Sequence, residues 1–168
     1  MQEIILVKYG EMALKGMNKK TFEDILVKNI KRRIKSLGKT EITRAQSTIY
    51  IAPLDEFFDA DEAIERLKKV FGIAALCRAA VCEKDFEDIK SKSIEYLDEV
   101  LSYAKTFKVT AKRADKSFPM KSPEICRELG GVLLEKFPHL TVEVNDPEIT
   151  VTVEIRDTKA YILSLIHI

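Results

Sequence analysis

The sequence predicts a mixed α/β protein made of two units, on three observations. Short runs alternate strictly between apolar and polar residues, the period of a half-buried strand, most cleanly in "ITVTVEI" (149–155). Longer stretches between them carry apolar residues three and four apart, the spacing of one helix face. Gly, Pro and capping residues separate the two patterns at regular intervals.

The first unit reads strand, helix, strand, strand, helix, strand. Ile4, Ile5, Leu6 and Val7 make an apolar strand over 3–8. Asn18 suits the N-cap of a helix from about 19 to 37, with Phe22, Ile25, Leu26, Ile30, Ile34 and Leu37 on its apolar face and Gly38 just past its end. Residues 41–44 and 47–52 form a hairpin that Pro53 terminates. Asp59, with Glu62 three residues later, opens a helix through Phe71, and Gly72 closes it before an apolar strand over 73–82. This order predicts the split βαβ, ferredoxin-like arrangement.

The second unit opens with a helix over 86–104. In "FKVTAKR", Phe107, Val109 and Ala111 alternate with Lys108, Thr110 and Lys112, a strand with one apolar and one polar face. Ser122 and Pro123 suit the N-cap and first position of a helix running to about 137, with Ile125, Leu129, Val132, Leu133 and Phe137 toward the core. Gly130 and Gly131 fall inside it and read as a site of close packing. The strand 149–155 and a last strand from about 159 complete the unit. The expected division is 1–78, 79–163 and an atypical tail at 164–168.

A chain of 168 residues with 46% hydrophobic and 33% charged residues is globular rather than disordered. It has no apolar run of the roughly 20 residues that span a bilayer and no signal-peptide pattern, so no membrane partner and a cytoplasmic location are expected. Three cysteines without framework spacing read as reduced thiols. Cys77 and Cys82, five apart, face opposite sides of a strand, and two histidines without a ligand cluster argue against zinc.

The net charge of +1 conceals segregation. Residues 8–39 carry ten Lys/Arg against three Asp/Glu, and residues 105–127 carry seven against two. The acidic blocks are 53–99, with seven against thirteen, and 128–168, with three against seven. Such blocks create a basic face for a polyanion despite a near-neutral total.

"TAKRADKSFPMKSPEICR" (110–127) concentrates that chemistry. Lys112 and Arg113 stand at a strand end, Lys116 and Lys121 in a loop, and a helix N-terminus follows, whose free N–H groups and dipole attract phosphate. Phe118, if exposed, offers a surface on which a base can stack. The plain alternative is a solvated basic loop with Phe118 in the core. If the strand continues through both, Lys112 and Arg113 point to opposite sides.

"KYGEMALKGMNKKTFE" (8–23) is the second concentration. Gly10 and Gly16 permit tight turns, and Lys15, Lys19 and Lys20 crowd a helix N-terminus where cations oppose the dipole, which favours an anionic partner over local stability. Glu11 has no second catalytic group nearby, so pairing with a lysine is its simplest role. "KNIKRRIK" (28–35) reads as the wet face of a helix. Neither a phosphate-cradling G-x-x-x-x-G-K-[ST] motif nor a Rossmann glycine pattern is present, and neither histidine sits in a nucleophile–base arrangement. No catalysis is expected from this chain alone.

"YGEMALKGMNKKTFE" resembles the N-terminal signature of the tRNA 4-thiouridine sulfurtransferase (ThiI-type) family, roughly G-E-x-x-L-K-G-x-N-[RK]-x-x-F-E, with Gly10, Glu11, Leu14, Lys15, Gly16, Asn18, Lys19, Phe22 and Glu23 matching. "KRADKSFPMKSPEICRELG" is similar to the core of that family's THUMP domain, an RNA-binding module, and the resemblance extends over about 2–162. It implies a ferredoxin-like domain, a THUMP domain that holds tRNA near its 3′ CCA end, and then an adenylating PP-loop domain. By position it makes Lys112, Arg113, Lys116, Phe118, Lys121 and Arg127 RNA-contact candidates, with Lys15 and Lys19 beside them.

For the whole family the resemblance implies ATP and Mg²⁺ at the PP-loop domain, a cysteine desulfurase as sulfur donor, a role in thiamine synthesis for some members and a possible homodimer. The PP-loop motif S-G-G-x-D-S is missing from this sequence, so no cofactor is expected here. Two other readings remain at this point. One is a THUMP-bearing part of a methyltransferase or deaminase; the other is a ferredoxin-like regulatory domain for a small metabolite.

Overall fold

A computed structural model describes residues 1–10, 18–45 and 47–166. The chain divides into two compact units, Glu3–Arg78 and Met1–Gln2 with Ala79–Ile168.

In the first unit, β1 (Glu3–Tyr9), β2 (Thr40–Ala45), β3 (Thr48–Pro53) and β4 (Ile73–Cys82), which runs on into the second unit, take the order β2-β3-β1-β4. Two helices, α1 (Lys19–Ile34) and α2 (Ala60–Leu67), complete the ferredoxin-like pattern. β3 pairs antiparallel with both β1 and β2, with Ile51 opposite Ile5 and Ile42. Ser47, at φ 64°, turns the hairpin.

The helix caps follow the sequence. The Asn18 side chain accepts the Thr21 N–H at 2.8 Å, and that of Asp59 accepts the Glu62 N–H at 3.0 Å. α1 gives way to a 3₁₀ turn, Lys35–Leu37, and Gly38 at φ 135° follows. α2 is shorter than expected and ends at Leu67, with Gly72 at φ 98° preceding β4.

One expected core position is corrected. Ile25 is 45% exposed, and Val27 lies in the core with Phe22, Leu26, Ile30 and Ile34. At 3.6 residues per turn, Ile25 lies about 135° from the centre of that stripe. The buried set also includes Ile5, Val7, Ile49, Ile51, Ala63, Leu67 and Val70. Each fully buried Leu or Ile here contributes about 1.5–3 kcal/mol.

In the second unit, the end of β4, β5 (Thr106–Arg113), β6 (Thr141–Val142), β7 (Ile149–Ile155) and β8 (Ala160–Ile166) take the order β4-β8-β7-β5-β6. β5 runs parallel to β7 and β6, while β8 is antiparallel to β7 and β4. The helix α5 (Ser122–Lys136) makes the crossover that a parallel β5–β7 pair requires. Residues 164–166, set apart as a tail by the sequence, continue β8 opposite 149–151.

Three further expectations change. The helix over 86–104 is two, α3 (Phe86–Tyr96) and α4 (Asp98–Tyr103), separated at Leu97 by φ −95°, ψ 3°. Leu97 and Leu101, at 1% and 0% exposure, anchor the break in the core. β7 has no wet face: Thr150, Thr152 and Glu154 are buried as well, at 8%, 9% and 0% exposure. Gly130 and Gly131 are not there for close packing. A Cβ on Gly130 would meet only Val109, at 4.0 Å, and one on Gly131 would meet nothing within that distance.

Asn18→Ala leaves the Thr21 N–H without its side-chain acceptor, and urea denaturation is expected to show a loss of about 1 kcal/mol.

Candidate nucleic-acid interface

β5 ends at Arg113 and α5 begins at Ser122, so the eight residues between them form a loop at the carboxyl end of one strand of a parallel pair. In open sheets with helical crossovers, such ends are where ligands are received. The helix starts without a side-chain cap. Lys121, not Ser122, occupies the N-cap position, with φ −82° and ψ 159°, and its carbonyl accepts the Ile125 N–H at 3.0 Å. Ser122 and Pro123 are therefore the first two helical residues, and the helix N-terminus lacks the side-chain acceptor that the sequence assigned to Ser122.

β5 does continue through both basic residues at its end, and they diverge as expected. Lys112 shares a face with Lys108 and Thr110, stands opposite Glu154 of β7 and is exposed. Arg113 turns the other way, and its Nη1 donates to the carbonyl oxygens of Lys116 at 3.1 Å and Phe118 at 3.0 Å. Arg113 therefore holds the loop together; its charge is directed at backbone.

Phe118 is corrected more sharply. It is 5% exposed and packs in the core with Phe107, Ile125 and Ile155, so it presents no ring for a base to stack on. Phe118 is the loop's one aromatic residue, and burying its ring, with Met120 partly buried against the same core, fixes the loop there. The outward cations are Lys112, Lys116 and Lys121, all exposed, and Arg127 on α5, whose side chain is 73% exposed and 3.9 Å from Glu128.

Two residues that sequence reasoning passed over complete the loop. Asp115 Oδ1 accepts the Ser117 N–H at 3.0 Å and the Ser117 hydroxyl at 2.6 Å, and its carboxylate pairs with the Lys84 ammonium. Lys84 also donates to the Asp157 carbonyl at 2.8 Å. The Asp115-Lys116-Ser117 spacing is a local turn signature that was legible in the sequence. Lys84, 31 residues away in an acidic block, gave no signal.

In the first unit, Lys19 is exposed at the start of α1, while Glu11, Lys15 and Gly16 lie outside the described residues. The two ends of the quoted signature meet. The Tyr9 hydroxyl donates to Glu23, and the Tyr9 and Phe22 rings lie 5.4 Å apart. Burial, then the neighbouring Glu23 carboxylate, pushes the Tyr9 phenol up to about 12. The pair ties the end of β1 to the first turns of α1.

Two of the three thiols, Cys82 and Cys126, are held in their protonated form. Burial, then the Asp88 carboxylate, pushes Cys82 up to about 12, and burial also raises Cys126. Among the described residues no group of three His, Cys, Asp or Glu side chains is placed to hold a metal, and no helix is long and apolar enough to cross a membrane.

The family model of the ThiI ferredoxin-like domain matches residues 4–77, and that of the THUMP domain matches 83–165. This chain belongs to the ThiI family. A probable tRNA sulfurtransferase of Acetivibrio thermocellus is 48% identical over 159 residues, which cover 94% of this chain and 41% of the relative. The corresponding protein of Alkaliphilus metalliredigens is 43% identical, with 94% and 40% covered. The chain thus spans about two fifths of the length of these ThiI relatives. Among solved structures, a 4-thiouridine synthetase in complex with RNA and with bound ATP is 34% identical at a TM-score of 0.83, covering 98% of this chain and 41% of that one. A Pyrococcus horikoshii protein is 28% identical at the same TM-score, covering 98% and 54%.

Two outcomes follow for the ThiI loop. Phe118→Ala is expected to cost about 3 kcal/mol or more in thermal or denaturant unfolding, as a core position does; a change near zero would return Phe118 to the surface. The Lys84 ammonium, then the Ser117 hydroxyl and N–H, hold the Asp115 carboxyl well below the usual carboxylate range. A folded-state value below the unfolded one stabilises the fold above about pH 4, and that contribution disappears as pH falls further. Below pH 4, acid should therefore destabilise the wild type more steeply than Asp115→Asn, followed by circular dichroism against pH.

Proposed function

We propose that this chain is the tRNA-holding part of a tRNA 4-thiouridine sulfurtransferase. In this reading the β5–α5 loop receives the phosphates of the unpaired 3′ CCA end and presents the acceptor end for uridine thiolation elsewhere in the protein. The observation that carries it is the loop itself: Lys112, Lys116 and Lys121 are exposed around an N-terminus of α5 that has no side-chain cap. That arrangement lies within a THUMP match, in a chain 34% identical to a protein solved with RNA.

The chemistry of such a site is electrostatic and local. Lysines and unbonded N–H groups neutralise phosphate oxygens and release condensed counterions, which gives affinity without reading a duplex sequence. An unpaired end suits it because single-stranded bases are free to splay away from the backbone. With Phe118 buried, the phosphate contacts carry the binding and aromatic stacking by that ring does not. The activation of uridine with ATP and Mg²⁺, and the sulfur supplied through a cysteine desulfurase, are assigned to a PP-loop domain whose motif this sequence does not contain.

Binding of the 168-residue chain to a tRNA and to the same tRNA without CCA, each at two salt concentrations, tests this reading. The expected result is steep salt dependence and weaker binding on CCA removal. Lys112→Ala, Lys116→Ala and Lys121→Ala are each expected to reduce the salt slope by about one. Equal affinity for both RNAs would reduce the loop to an unspecific basic surface, and no binding to either would overturn the RNA assignment.

A further inference from the structure

We propose that Asp115 and Lys84 are positioning residues for RNA binding: an ion pair between them holds the β5–α5 loop in the shape that receives phosphate, although one of the pair is an anion. The inference rests on the RNA-binding reading above and adds residues that do not touch RNA.

A carboxylate in the middle of a phosphate-receiving loop is electrostatically unfavourable, because like charges within a Debye length of about 8 Å repel. Its geometry supplies the compensating role. Asp115 is the hub of the loop: its Oδ1 accepts both the N–H and the hydroxyl of Ser117, its carbonyl accepts the Phe118 N–H at 3.4 Å, and its own N–H reaches the Ile155 carbonyl at 3.4 Å. Ala114 N–H bonds the same Ile155 carbonyl at 2.9 Å. From the other side Arg113 holds the carbonyls of Lys116 and Phe118. The backbone on both sides of Lys116 is therefore tied down, while the Lys116 side chain stays free for a ligand.

Lys84 completes the device from another part of the unit. Its side chain is only 24% exposed and that of Asp115 17%, in contrast to the outward lysines of the same loop. With its ammonium on Asp115 and on the Asp157 carbonyl, Lys84 joins the β4–α3 turn, the β7–β8 turn and the phosphate-facing loop. Lys159, paired with Glu83 at 2.6 Å, braces the same two turns. A preordered loop binds more tightly because less ordering is left to do on association.

Two opposite signs make this testable. Simple electrostatics predicts that Asp115→Asn, which removes a negative charge, tightens RNA binding. Positioning predicts that it weakens binding, by roughly three- to tenfold, a loop-ordering cost of ordinary size. Lys84→Met should weaken binding similarly with an unchanged salt slope, since Lys84 does not touch phosphate, and should have no further effect in the Asp115→Asn background. Amide exchange at Ser117 and Phe118 should speed up in both variants while core amides such as Val151 stay protected, which separates loop loosening from loss of the fold.

The measurements use tRNA ending in CCA at two salt concentrations, at a temperature where circular dichroism shows each variant folded. Tighter or unchanged binding by Asp115→Asn overturns the proposal. So does a salt slope reduced by about one in Lys84→Met with its effect intact in the double variant, since Lys84 would then be a phosphate contact itself. Failure of the wild type to bind tRNA would instead overturn the RNA reading on which the proposal stands.

Discussion

The arrangement of the second unit depends on β7 being paired on both edges and buried on both faces. Parallel pairing with β5 on one side and antiparallel pairing with β8 on the other leave it no free edge. A parallel pair cannot be closed by a tight turn, so the chain must leave β5, pass through α5 and return. The loop that opens α5 is consequently anchored by a strand end before it and a helix start after it. Ile155, the last residue of β7, accepts two backbone bonds from that loop. The central strand thus sets both where the loop is and which way its backbone faces.

Around that scaffold the cations divide into two groups by what they touch. Arg113 and Lys84 direct their charge at carbonyls and a carboxylate inside the unit. Lys112, Lys116 and Lys121 remain outside. The first group orders the loop; the second leaves positive charge facing water. Glu154, wholly buried beside Lys112 in register, pairs with Arg156 at 3.3 Å. Composition alone counts all of these residues alike, and only their partners distinguish holding from binding.

The ferredoxin-like unit shows the same economy at its own strand–helix junction. Tyr9 and Glu23, at the two ends of the family signature, are bonded to each other, and Asn18 caps α1 between them. Arg44, paired with Asp24 at 2.7 Å, ties the β2–β3 hairpin to the same end of α1. A short motif is therefore held at its borders by ordinary interactions: a buried aromatic, a cap and an exposed ion pair. Of these the ion pair contributes least, since both partners are largely wet.

Element type, order and most caps were legible in the sequence because they follow from local rules. The βαββαβ order, Asn18 and Asp59 as caps, and the divergence of Lys112 from Arg113 need only periodicity and hydrogen-bond valence. The family, too, was legible in two short stretches. Tertiary structure decided what local rules leave degenerate: Ile25 against Val27 on α1, the break at Leu97, the burial of Thr150, Thr152 and Glu154, and the loss of Phe118 as a stacking surface. It also supplied Lys84 as the partner of Asp115. The physical reason is common to all of them. Periodicity says that a face is apolar or polar, whereas burial and pairing depend on what packs against that face, and the packing partners come from distant parts of the chain.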